Sequence, residues 1–240
     1  MRHLSIYYAL GAIALGVVGL CFHDFALQWQ PVPKGMPARD LLSIVSGLVL
    51  VFLGGAILVR RALAPASFAL GSFYALWVVG LHLPRIVAAP DSLVTWLGAA
   101  EIAALVAGGG MLYFVERGGP VVARRPLAVL FGASALVFGL SHFVYAQFTA
   151  GMVPGWISAP LFWAYATGCG HCLAGISIAS GVLARVAATA MAAMCAGFAL
   201  LLHVPRVLAD PGNHAEWTML CIAVSIGGAA WIMRESARSE

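Results

Sequence analysis

The chain has 240 residues, of which 62% are hydrophobic and 9% charged, and its net charge is +4. Soluble domains carry roughly 25% charged residues, so water is excluded as the main solvent. The basic residues are dispersed over short segments between apolar runs, which accounts for the charge without a nucleic-acid partner. Its five cysteines all fall in apolar stretches, which excludes a disulfide framework of the secreted type.

Crossing a hydrocarbon layer of ~30 Å at ~1.5 Å per residue takes about 20 apolar residues. Eight such runs follow one another: Leu4 to Leu27, Leu41 to Val59, Pro65 to Ala88, Leu93 to Val115, Pro126 to Phe148, Ala159 to Ala184, Ala187 to Ala209 and Glu216 to Met233. The first starts like a signal peptide but lacks a small-residue cleavage site and continues into His23 and Asp24, so it reads as a retained helix. The large Leu20 before Cys21 argues against a lipoprotein site. Longer connections after the first run (Trp29, Pro31, Pro33, Pro37) and the fifth (Pro154, Trp156, Pro160) suit interfacial caps.

An even number of spans leaves both termini on one side. Nine of the 13 Lys and Arg residues fall there: Arg2, Arg60, Arg61, Arg117, Arg124, Arg125, Arg185, Arg234 and Arg238. Lys34, Arg39, Arg85 and Arg206 fall on the other side. Basic residues are retained in cytoplasmic segments, so both termini are expected in the cytoplasm of a bacterial inner-membrane protein.

Within the third run, Leu81-His82-Leu83-Pro84-Arg85-Ile86-Val87-Ala88-Ala89-Pro90 returns in the seventh as Leu202-His203-Val204-Pro205-Arg206-Val207-Leu208-Ala209-Asp210-Pro211, identical at six of ten positions at an offset of 121. Trp96 and Trp217 keep that offset, while His23 and His142, and Gln28 and Gln147, match at 119. The expected fold is therefore all-α: eight transmembrane helices as two parallel four-helix repeats, residues 1–117 and 126–240, joined by a cytoplasmic linker at 118–125. Equivalent residues of parallel repeats lie at equal depth. His23, His82, His142 and His203 are thus expected as one polar layer, each four to seven residues inside a helix end.

Charged groups in lipid are costly and mark either structural pairing or function. His82 with Arg85, and His203 with Arg206, are three residues apart and share a helix face. Pro84 and Pro205 each remove an amide and are expected to free the carbonyl of Gly80 or Leu201. The plainer reading is that the arginines snorkel to the interface and the prolines bend the helices. Glu101 needs a proton or a cationic partner, for which Arg85 or His82 is the natural candidate within the repeat; Ile222 at the equivalent position breaks the symmetry. Four histidines at one depth invite a metal or haem, but no H-x-x-x-H or Glu-x-x-His pairing supports either, and no metal site is assigned. Cys169-Gly170-His171-Cys172 has the C-x-x-C spacing of thiol oxidoreductases. It lies in mid-helix, where hydrocarbon disfavours the thiolate and a neutral cysteine also packs as a small hydrophobe.

Gly139-Leu140-Ser141-His142-Phe143, Met152-Val153-Pro154-Gly155-Trp156, Pro160 and Thr167-Gly168 with Gly175 resemble the DoxX-like membrane family, and His203-Val204-Pro205-Arg206 with Pro211 and Trp217 fits its duplicated members. The resemblance is strongest over residues 126 to 234. It implies a four-helix unit, here doubled, in a group that includes subunits of a thiosulfate:quinone oxidoreductase. Where the family pattern expects an acid after the Thr-Gly of helix six, this chain has His171 inside the cysteine pair. The combined reading is a redox-associated integral membrane protein that binds a quinone or anchors an outer-face redox partner. His23, His82, Arg85, Glu101, His142, His203 and Arg206 are its candidate ligand-binding residues, and Cys169 and Cys172 its redox candidates. A non-enzymatic transporter or cargo chaperone, and a purely structural subunit, are the alternatives.

Overall fold

The computed structural model describes residues 2–236. Arg238 and the side chain of Arg2 fall outside that description. Eight helices among these residues are long and apolar enough to cross a membrane, and none of the described residues forms a strand. They are α1 (Arg2–Phe22), α2 (Arg39–Ile57), α3 (Leu63–Ala88), α4 (Leu93–Glu116), α5 (Val121–Val144), α6 (Pro160–Ser180), α7 (Ala184–Ala209) and α8 (His214–Ser236). A 3₁₀ turn (Leu27–Trp29) follows α1 and a short helix (Ala146–Met152) follows α5. The chain is a multi-pass membrane protein.

Helix neighbours repeat along the chain. The pairings α1–α2, α2–α3, α3–α4 and α4–α5 recur as α5–α6, α6–α7, α7–α8 and α8–α1, which closes a ring. Across that ring α4 also packs on α8, and these two are the most buried of the eight. This is the neighbour relation that two copies around a central axis produce. Small residues permit the close approaches: a Cβ on Gly132 would lie 2.5 Å from the Gly175 carbonyl between α5 and α6, and one on Gly47 would lie 2.9 Å from the Gly16 carbonyl between α1 and α2. Tyr8, wholly buried, donates its hydroxyl to the Leu105 carbonyl at 2.7 Å and ties α1 to α4. Phe52, Leu76, Val87, Phe162 and Leu200 face outward, as lipid contact requires.

Both His-x-Pro-Arg segments take the same unusual backbone. A π-turn (Val78–His82 in α3, Phe198–His203 in α7) precedes each proline, and the Leu83 and Val204 amides reach back five residues to the Val78 and Ala199 carbonyls. The wider turn leaves room for the proline ring at the second position of the α segment that follows. Beyond it the copies still coincide: the Trp96 and Trp217 indoles donate to the Pro90 and Pro211 carbonyls at 2.8 and 2.9 Å.

Four expected boundaries are corrected: α5 starts at Val121, so that 121–125 of the expected linker are helical, α6 stops at Ser180, and α1 and α5 end early. α1 stops at Phe22, because the Asp24 amide turns back to the Gly19 carbonyl and His23 takes a left-handed conformation (φ 53°). α5 stops at Val144, after which the backbone breaks before the short helix.

Candidate functional site

The four histidines differ in their distance from the helix ends. His82 and His203 sit six residues before the ends of α3 and α7, His142 two residues before the end of α5, and His23 beyond the end of α1, exposed. The anticipated residues separate into three clusters.

In the first, His82 is buried and its Nε2–H donates to the Trp29 carbonyl at 3.0 Å. The direction follows because a carbonyl can only accept, which leaves Nδ1 without the proton in neutral imidazole. The Trp29 indole N–H in turn donates to Glu101 Oε2 at 2.6 Å. Glu101 therefore meets an indole where Arg85 or His82 was expected, and it forms no ion pair among the described residues. The 3₁₀ turn brings Trp29 here: its ring is buried against α4, and Gln30 behind it pairs with Ser46 of α2 at 2.8 Å. Beside the turn that carries Trp29 lies an open cleft of about 590 Å³, lined by Leu27, Gln28, Val32, Leu81 and Pro84, with the cations Lys34 and Arg85. Both cations are exposed, and neither takes part in a hydrogen bond or ion pair among the described residues.

The second cluster is the equivalent stretch of the other repeat, solved differently. Arg206 donates from Nε and Nη2 to Glu216 Oε1 at 2.8 and 2.6 Å. The Glu216 side chain is 9% exposed against 41% for Arg206. His203, also buried, has Nδ1 4.0 Å from Glu216 Oε2, and neither atom has a hydrogen-bond partner. No aromatic loop residue reaches His203; Phe148, at the position matching Trp29, is 73% exposed on the short helix.

The third cluster lies where α5, α6 and α7 meet. His142 donates Nδ1–H to the Phe138 carbonyl at 2.8 Å, and its ring centroid is 4.9 Å from that of His171, with Phe138 and Phe198 alongside. His171 is buried and its Nδ1 has no partner. Cys169 faces outward while Cys172, one turn on, packs where a Cβ on Gly139 would collide with its sulfur; both thiols are free. No group of three His, Cys, Asp or Glu side chains suited to a metal occurs among the described residues.

Three participants were absent from the candidate ligand-binding residues: Trp29, Glu216 and His171, the last noted in the sequence only for its place inside the cysteine pair. Glu216 carried a readable signal, an acid one position before the repeated Trp217, where the first copy has Thr95. The other two are defined only by packing. No family model matches the chain, and neither the curated proteins nor the solved structures contain a match.

Proposed function

We propose that this is a DoxX-like, redox-associated membrane protein that receives the head group of a lipophilic carbonyl compound, a quinone, in the cleft beside α3. One observation carries the reading: a cleft with largely apolar walls and two cations unpaired among the described residues is lined by Leu27 and Gln28, on the turn whose next residue, Trp29, holds the half-buried carboxyl of Glu101, itself without a cationic partner among the described residues. Its volume lies within the roughly 300–1,000 Å³ usual for small-molecule sites. Arg85 and Lys34 donate hydrogen bonds to carbonyl oxygens, Leu81 and Val32 exclude water from the ring, and Glu101 holds a proton behind the His82–Trp29 chain. A bound quinone supplies a carrier of two electrons and two protons; the electrons come from a separate redox protein docked on the same face. The arginine distribution supports an orientation with the termini in the cytoplasm and this face outward.

The test is to purify the protein in an uncharged detergent, extract its lipids and quantify quinone per chain. We expect near-stoichiometric quinone in the parent protein and a loss of most of it in Arg85→Ala. Equal quinone in both, or none in either, overturns the proposal.

A further inference from the structure

The duplication supplies an internal control for Arg85. Residues 81–96 and 202–217 align without a gap, with the π-turn, the proline and the tryptophan-to-carbonyl bond preserved. Within this shared frame Arg206 is neutralised by the buried carboxylate of Glu216. The first copy has Thr95 at that position, and its hydroxyl is spent on the Ser92 and Ala89 carbonyls at 2.7 and 3.2 Å. Among the described residues no other acid replaces the missing one. Glu101 is held by Trp29, Asp24 is paired with Arg39 at 2.6 Å, and Asp40 and Asp91 are exposed and form no ion pair. A second cation, Lys34, stands at the same cleft.

We infer that this cleft selects the oxyanion head, carboxylate or phosphate, of a membrane amphiphile, which serves Arg85 as the counter-ion that Glu216 is to Arg206. The inference rests on the reading of the cleft as a head-group site and goes beyond the uncharged quinone by assigning that site an anionic amphiphile as a second, competing occupant. Two cations at the rim favour an anion, and bidentate or paired N–H donors to an oxyanion are the stronger class of hydrogen bond. The walls of leucine, valine and proline favour an attached apolar chain over a small soluble anion. Simple snorkelling of both cations to water predicts no preference among ligands.

The experiment is equilibrium binding to the purified full-length protein in an uncharged maltoside detergent. The probes are hexadecanoate, hexadecyl phosphate, hexadecanol, and acetate with inorganic phosphate. We expect one equivalent of at least one of the two charged amphiphiles, held about tenfold or more tighter than hexadecanol, with no comparable binding of acetate or inorganic phosphate. Arg85→Ala and Lys34→Ala, the latter in an exposed connection that leaves helix packing untouched, should each weaken that binding. Thr95→Glu should weaken it by supplying the carboxylate internally, while Glu216→Thr should create a second equivalent beside Arg206. Equal binding of acid and alcohol overturns the charge assignment, as does unaltered binding in both Thr95→Glu and Lys34→Ala. Soluble anions binding as tightly as the amphiphiles also overturn it. If hexadecanol and quinone are still lost on Arg85→Ala, the head-group site stands and only its charge preference falls. If no amphiphile responds to Arg85→Ala, both fall.

Discussion

The twin arginines should differ sharply in what they contribute to stability. Truncating Arg206 to alanine leaves the Glu216 carboxylate, whose side chain is 9% exposed, with only the His203 imidazole, 4.0 Å from Oε2, beside it. Breaking a buried pair costs roughly 3–5 kcal/mol, and the 41% exposure of the Arg206 side chain places this pair at the low end, at about 3 kcal/mol. Arg85 makes no hydrogen bond or ion pair among the described residues, so Arg85→Ala should stay within about 0.5 kcal/mol, the range of surface substitutions. For a chain of this size roughly 2–4 °C accompanies each kcal/mol, so thermal unfolding in detergent should fall by about 6–12 °C for Arg206→Ala and by about 2 °C or less for Arg85→Ala. Adding Glu216→Gln to Arg206→Ala removes the stranded charge while keeping its shape and should recover at least half of the loss. Equal depressions for the two arginines, or no recovery with glutamine, would refute the argument that the buried carboxylate sets the cost.

Other expectations follow from the same contacts. Trp29→Phe deletes the indole donor to Glu101 and should cost about 1–3 kcal/mol; in a cycle with Glu101→Leu the two losses should be coupled, and additive losses in thermal unfolding would show that the bond is idle. Gly132→Val drives a side chain into the Gly175 backbone, as the 2.5 Å approach to its carbonyl requires, and should lower stability by about 1–3 kcal/mol, whereas Gly55→Ala, which meets nothing, should be neutral. A membrane-permeant maleimide should label Cys169 before Cys172 and leave the buried Cys195 and Cys221 unlabelled in the folded protein, with sites read by peptide mass.

The eight spans were legible because each depends on a local quantity, the transfer of some twenty side chains into hydrocarbon, which the sequence states directly. The doubled π-turn was half legible. Pro84 and Pro205 announced a disturbed helix, and the outcome is a wider turn whose amides reach carbonyls five residues back. The azimuth of each helix was not legible. A helix apolar on every side has no polar face to fix which residues turn inward, so the approach of His171 to His142 could not be foreseen, nor could the outward face of Cys169. Glu101 shows the same limit in another form. An acid in lipid calls for a partner, and the expected cation lay on a neighbouring helix. The partner that arrived is an indole 72 residues earlier, delivered by a loop whose path depends on the whole first repeat. His23 failed for a local reason, since a left-handed turn with a non-glycine residue gives no glycine signal at the helix end.

Divergence between the copies lies less in the repeated His-x-Pro-Arg segment than in the groups that come to meet it. His82 and His203 share burial, backbone and position, yet one donates to a loop carbonyl and the other faces a carboxylate across 4.0 Å. If neighbours decide the chemistry, exchanging the segments' own differing residue, Leu83→Val with Val204→Leu, should leave both sites unchanged apart from a packing cost below about 1.5 kcal/mol. Exchanging the facing residues, Thr95→Glu with Glu216→Thr, should move the ion pair to α3. In that background Arg85→Ala becomes the costly truncation, at about 3 kcal/mol, and Arg206→Ala the nearly neutral one, each measured by thermal unfolding. Should the penalty remain with Arg206 after the exchange, the helix itself, with its own local field and packing, sets the difference, and the first-repeat arginine has no vacancy for a carboxylate to fill.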